Sequence, residues 1–242
     1  MWYVVHTMAG LEQKCMQQCQ RYVDQADYSE MFIPLYMAKK HFRKEWHDVE
    51  QPLFPGYFFI DTKDIQPIQL GLKHLYQYTK VLQNGEIVSP ITKEEQNYLE
   101  KMMDRQHIVQ YSEGFLIGDE VLVTSGPIRN CKGWIKSVDR HRRVAKMEIP
   151  IFGRRTPVEI GFGAIARVSK QEFQEMIADN IAQQEQLGDD QNRVEVVKGV
   201  FKDMTGHFLY ADTERDEWTV ELKLFNNMTK VMFRRDEIKM LL

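Results

Sequence analysis

Cysteine is scarce in this chain of 242 residues: Cys15, Cys19 and Cys131 are the whole supply. An odd, sparse count is poor material for a disulfide framework and suits a reducing compartment, so the expected setting is cytoplasmic. Long apolar runs are missing too. None approaches the roughly 18–20 residues that a membrane span requires. The opening "MWYVVHTMAG" lacks a basic segment followed by an apolar one, which argues against a secretory signal. No Walker loop, His-Glu-x-x-His pair or Ser/His/Asp pattern occurs. The acidic residues are no more clustered than a charged surface gives. These absences argue against an enzyme and against a bound cofactor. Cys15 and Cys19, four apart on a helix, could join His6 around a metal. Their spacing fits no zinc signature and both fit the buried helix face, so core packing is the expected role and no metal is expected.

What is present is unevenly spread. Hydrophobic residues make up 43% of the chain and aromatics 11%, enough for real cores. The net charge of −3 hides a basic middle. Residues 118–170 hold 11 basic and 5 acidic residues, net +6; residues 171–242 hold 9 and 15, net −6. A basic segment between two acidic ones points to a polyanion contact in mid-chain or to a solvated basic face; charge alone does not choose.

A repeat organises the second half. "GPIRNCKG" (126–133) returns as "GVFKDMTG" (199–206), and the same offset aligns "EIPIFGRRTPVEI" with "ELKLFNNMTKVMF" without a gap. Both copies alternate apolar and polar residues, the period of half-buried strands. Four or five short strands in each predict two small β-barrels: a basic one at 118–170 and an acidic one at 191–242, with a helical linker at 171–190. The "GPIRNCKG" stretch is read as a turn set by Gly126 and Gly133 that displays Arg129 and Lys132. With Lys136, Arg140, Arg142, Arg143, Lys146, Arg154 and Arg155 these make a candidate RNA surface. Phosphate contact there supplies affinity and little sequence information.

Residues 1–107 differ. The expected order is a strand ("MWYVVHT"), a helix with Leu11, Cys15, Cys19 and Tyr22 on one face, a strand with a basic loop ("AKKHFRKEWH"), an aromatic strand ("LFPGYFFIDT") and two further helices, the last capped by Ser89. This is an α+β sandwich, joined to the first barrel by a linker at 108–117. Phe58 and Phe59 are adjacent in a strand and face opposite ways. One of them therefore meets a second cover or a partner.

In these residues the chain resembles the NusG family of transcription elongation factors. "WYVVHTMAGLEQK" is similar to that family's first strand and helix, "LFPGYFFI" to its Phe-Pro-Gly-Tyr strand, and "GDEVLVTSGPIRNCKG" to its KOW motif. "IFGRRTPVEI" resembles the segment that follows, and the likeness covers roughly residues 1 to 170. The resemblance implies an N-terminal NGN domain of ferredoxin-like fold followed by SH3-like KOW barrels. It implies that a hydrophobic depression at Trp2, Phe54, Pro55 and Tyr57 receives the clamp helices of the RNA polymerase largest subunit. It also implies that an apolar barrel edge at Ile151 and Phe152 tethers ribosomal protein S10 or Rho, with nascent RNA on the basic barrel. The added second barrel departs from the housekeeping pattern and suggests a specialised LoaP-like or RfaH-like paralogue. The expected function is processive antitermination by a monomer. The alternative is a general RNA-binding or ribosome-associated module without polymerase contact.

Overall fold

The computed structural model describes residues 1–75, 79–84, 87–129, 131–183, 192–225 and 227–241. In chain order the strands of the first hundred residues are β1 (Trp2–His6), β2 (Glu30–Phe32), β3 (Leu35–Phe42), β4 (Glu45–Pro52), β5 (Tyr57–Asp61), β6 (Lys80–Val81), β7 (Gln83–Asn84) and β8 (Ile87–Val88). Then come β9 (Ile108–Val109), β10 (Ser112–Ile117), β11 (Glu120–Ser125), β12 (Ile135–Asp139), β13 (Val144–Ile151) and β14 (Arg154–Val168). The last are β15 (Arg193–Val196), β16 (Thr205–Asp212), β17 (Glu217–Leu224), β18 (Asn227–Phe233) and β19 (Ile238–Met240). The helices are α1 (Glu12–Tyr22), α2 (Gln66–Leu72), α3 (Lys93–Met102) and α4 (Lys170–Gln183). Two compact units result: Met1–Tyr111 with Gly133–Gly163, and Ser112–Lys132 with Ala164–Leu242.

The first unit is built on an antiparallel sheet of order β2-β5-β1-β6. Strand alternation sends Tyr3, Val5, Phe58 and Ile60 into one core with Cys15 and Cys19 of α1 and Ile68 of α2. Both cysteines are fully buried, and burial pushes the Cys19 thiol up to about 12. Tyr22, expected on the buried face, is 51% exposed and stacks on His74 instead, while Met16 is buried. Helix α3 starts later than the Ser89 cap predicts. Thr92 accepts from the Glu95 N–H and Glu95 accepts from the Thr92 N–H, a capping box in "TKEE" that outcompetes Ser-Pro.

Strands β3 and β4 form a hairpin closed by Arg43 and Lys44, both with positive φ (51° and 68°), and β9 pairs parallel to β3. Strand β12 pairs with β13, and β13 with β14 from Val144↔Gly161 to Ile151↔Arg154. A two-residue loop, Phe152-Gly153, joins the latter pair, again left-handed (φ 61° and 67°).

The second unit contains the second repeat as one antiparallel sheet of order β18-β17-β16-β15-β19. Its core, with Val194, Val196, Phe201, Val220, Leu222, Val231 and Ile238, also takes Phe115 of β10 and Phe173 and Met176 of α4. Phe225 stands where the repeat offset places Phe152, has the same left-handed backbone (φ 50°), and packs against Phe115 and Phe173. This barrel, expected to be acidic, is neutral. Residues 192–242 carry nine basic and nine acidic side chains, and the six extra acids lie in 171–191. The Gly-Asp-Asp linker (188–190) lies outside the described residues.

The first repeat departs from expectation. The stretch 108–117, read as a linker, holds β9 and β10. Strand β11 pairs with β10 through the tight turn at Gly118 and Asp119, whereas its counterpart β15 pairs with β16. Residues 118–170 are divided between the two compact units. The Gly-Asp turn flanked by "FLI" and "VLV" is a hairpin signal that the repeat alignment masked. Of the two glycines bracketing "GPIRNCKG", only Gly126 is required. It has φ 94°, and a Cβ there would meet Ser112 Oγ at 2.3 Å, while Gly133 faces open space.

Gly161 has the least room of the described glycines in the first unit: a Cβ would meet the Met37 carbonyl oxygen at 2.0 Å and the Tyr111 ring at 2.6 Å. Gly161→Ala is expected to cost about 1–3 kcal/mol through backbone displacement, against almost nothing for Gly133→Ala. Chemical denaturation of both variants checks it.

Candidate partner-docking and nucleic-acid surfaces

The face of the β1–β5 sheet away from α1 carries a stack of rings. Trp2 lies edge-on to Phe32 and Phe59 at centroid distances of 4.9 and 6.2 Å, and Phe32 stacks on His107 at 3.7 Å. Phe54 completes the layer, 5.9 Å from Phe59. Phe58 and Phe59 do face opposite ways, and both are fully buried: Phe58 under the helices, Phe59 in this second aromatic layer.

What covers that layer is the chain itself. Phe152, at the β13–β14 tip, lies 5.3 Å from Phe54, 5.3 Å from Tyr57 in a stacked arrangement, and 6.2 Å from Phe59. A left-handed phenylalanine costs about 1–2 kcal/mol, so the ring contacts must outweigh that strain. Next to it the Gly153 N–H donates to Glu95 Oε1 at 3.1 Å, using the second oxygen of the α3 capping box. Trp134 packs on Tyr98 of α3 at 4.2 Å, in place of the stacking on bases that an exposed ring would permit. Of the four residues expected to meet polymerase, Trp2 (5% exposed) and Phe54 (2%) are floor, Tyr57 is half-buried under Phe152, and Pro55 is exposed. Ile151, expected at a partner edge, is 2% exposed because its strand face turns inward; Phe152 is half-buried.

The basic residues are also redistributed. Lys136, Arg140, Arg142, Lys146, Arg154 and Arg155 are exposed in the first unit. Arg142 forks onto both Glu159 oxygens at 2.7 Å, which raises its own pKa further, and its backbone N–H holds the Asp139 carboxyl below the usual range. Lys136 pairs with Glu148 at 3.1 Å. Among the described residues Arg140, Lys146, Arg154 and Arg155 form no ion pair, although Lys146 is near enough to Asp139 to help hold its carboxyl low. Arg143 lies 4.1 Å over the Trp46 ring of the β3–β4 hairpin. Arg129 belongs to the second unit, where it is ion-paired with Glu237 and sits over Phe233; it is a strut, not a displayed cation. The Lys132 side chain lies outside the described residues.

Sequence reasoning did not single out Trp46 and Phe42, 40% and 46% exposed on a hairpin expected to be a basic loop near nucleic acid. The signal was present as aromatics interleaved with cations in "KKHFRKEWH". Among the described residues no group of three or more His, Cys, Asp or Glu could hold a metal ion, and no helix is long and apolar enough to cross a membrane.

Comparison with known proteins identifies the module that carries the aromatic layer. Residues 1–100 match the family model described as transcription termination factor nusG. The first hundred residues are thus similar to that family's N-terminal domain. The transcription termination/antitermination protein NusG of Rickettsia typhi is 26% identical over 171 residues, covering 69% of this chain and 89% of that protein. NusG of Halalkalibacterium halodurans is 26% identical over 174 residues, covering 69% and 98%. A solved structure described as domain interaction in Thermotoga maritima NusG aligns over 99% of this chain and 96% of that one, at 16% identity and a TM-score of 0.31.

Removing the tip ring tests the packing. Phe152→Ser is expected to cost about 1.5–3 kcal/mol of stability and to raise hydrogen exchange in residues 54–59. Unchanged exchange there contradicts the covering role.

Proposed function

We propose that this protein is a transcription termination/antitermination factor that binds RNA polymerase through the aromatic layer of its NusG domain. The observation that carries the reading is the layer itself. Trp2, Phe54, Tyr57 and Phe59 form an apolar layer, and its Phe54–Tyr57 end is covered by one left-handed ring, Phe152, beside the Glu95–Gly153 hydrogen bond. A hydrophobic helix tip, such as the clamp helices of the polymerase largest subunit, fits that chemistry. In the closed form the layer is occupied, so polymerase and Phe152 compete for it. Binding therefore carries the cost of displacing the β13–β14 tip. Release of the tip frees Phe152 and Ile151 for a second partner, of which ribosomal protein S10 and Rho are the candidates.

The unpaired cations Arg140, Lys146, Arg154 and Arg155 support contact with nascent RNA, and the exposed Phe42 and Trp46 beside Arg43 and Lys44 support contact with nucleic acid at the polymerase. The role is binding rather than catalysis. An added second barrel favours a specialised, antiterminating member over a housekeeping one.

Full-length Phe152→Ser is expected to capture purified polymerase at least about tenfold more tightly than the unaltered chain, because the competing ring is gone. Equal or weaker capture sinks the competition. Arg154→Glu with Arg155→Glu weakens RNA retention and lowers the slope of log affinity against log salt by about 2, one for each phosphate that is no longer neutralised. An unchanged slope in gel shift removes these residues from the RNA surface. Arg129→Glu leaves that slope unchanged.

A further inference from the structure

The turn that carries Pro55 and Tyr57 is held from 44 residues away. Gly56 has φ 85°, and a Cβ there would meet the Thr7 carbonyl oxygen at 3.0 Å, so glycine is needed to let the turn lie against the end of β1. Two backbone bonds shape it: Thr7 N–H to the Gly56 carbonyl oxygen at 2.8 Å, and Tyr57 N–H to the Phe54 carbonyl oxygen at 3.1 Å. The third bond is of another kind. The Gly56 N–H donates to Glu12 Oε1 at 2.6 Å, and Glu12, in the first turn of α1, is only 4% exposed. A buried carboxylate is costly to keep, and a strand end needs no carboxylate for its own sake. Here it is placed at the one amide between the exposed Pro55 and the half-buried Tyr57. Charge-assisted bonds of this length are strong and directional.

We infer that Glu12 is a positioning residue for the docking turn: its carboxylate straps the Gly56 amide to α1 and so fixes Pro55 and Tyr57 in the orientation a partner meets. The inference rests on the reading of that turn as part of the polymerase site. Glu12 itself does not touch the partner. It acts through the Gly56 backbone, and the geometry requires both its reach and its acceptor oxygen. Gln keeps both without the charge; Asp keeps the charge but is one methylene short.

The test uses full-length protein carrying Phe152→Ser, with Glu12→Gln, Glu12→Asp and Glu12→Ala added singly. Amide hydrogen exchange at Gly56 and Tyr57 is measured alongside titration with purified polymerase. The expected order is that Glu12→Gln stays within about threefold of its parent in both, while Glu12→Asp and Glu12→Ala speed Gly56 exchange and weaken polymerase binding by about tenfold, with α1 protection unchanged. If Glu12→Ala does not fold, the Gln and Asp pair decides. Asp equal to or better than Gln overturns the strap, as does slow Gly56 exchange in folded Glu12→Ala. Should exchange respond as expected while the Phe152→Ser parent fails to bind polymerase, the strap stands and the docking assignment falls.

Discussion

A single ring governs how this molecule presents itself. Phe152 sits on Phe54, Tyr57 and Phe59 and covers that end of the aromatic layer of the NusG domain. Fully burying a phenylalanine is worth about 1.5–3 kcal/mol; Phe152 is half-buried, and its left-handed backbone offsets about 1–2 kcal/mol. The net hold is small by this measure. On the proposed reading, that contact yields to a larger apolar partner. The Glu95–Gly153 hydrogen bond and the Trp134–Tyr98 contact steady the same hairpin from α3.

The basic surface is divided between structure and display. Arg142 and Lys136 are tied to Glu159 and Glu148, and Arg143 to the Trp46 ring, so these cations shape the face rather than offer free charge. What remains for an anion is Arg140, Lys146, Arg154 and Arg155. Exposed pairs contribute little to stability. In the second unit Arg129 is used entirely inside, between Glu237 and Phe233.

Much of this was legible in the sequence. The strand alternation of "WYVVH" and "YFFID" and the helical spacing of Cys15 and Cys19 pointed to the NusG-domain core, and the 73-residue offset located Phe152 and Phe225 at equivalent turns. Where the structure differs, the causes are physical. Tyr22 lies at the helix end, where spacing alone does not guarantee a neighbour to bury it. Ser89-Pro90 lost to the reciprocal bonds of Thr92 and Glu95. The first repeat paired β11 with β10 because a Gly-Asp turn supplies a local partner before the distant one. Trp2 and Phe54 could be recognised as a greasy cluster, but the ring that covers them comes from a hairpin far along the chain. No periodicity reports such a contact. Glu12 was invisible for the same reason, since its partner is a backbone amide.

On the proposed reading, polymerase takes the place that Phe152 holds in the free protein. A fluorinated phenylalanine incorporated at position 152 alone reports this directly by fluorine NMR. Displacement gives a buried resonance in the free protein that moves to the solvent-exposed position as purified RNA polymerase is added in stoichiometric amount. A resonance that stays buried while the complex demonstrably forms would contradict it.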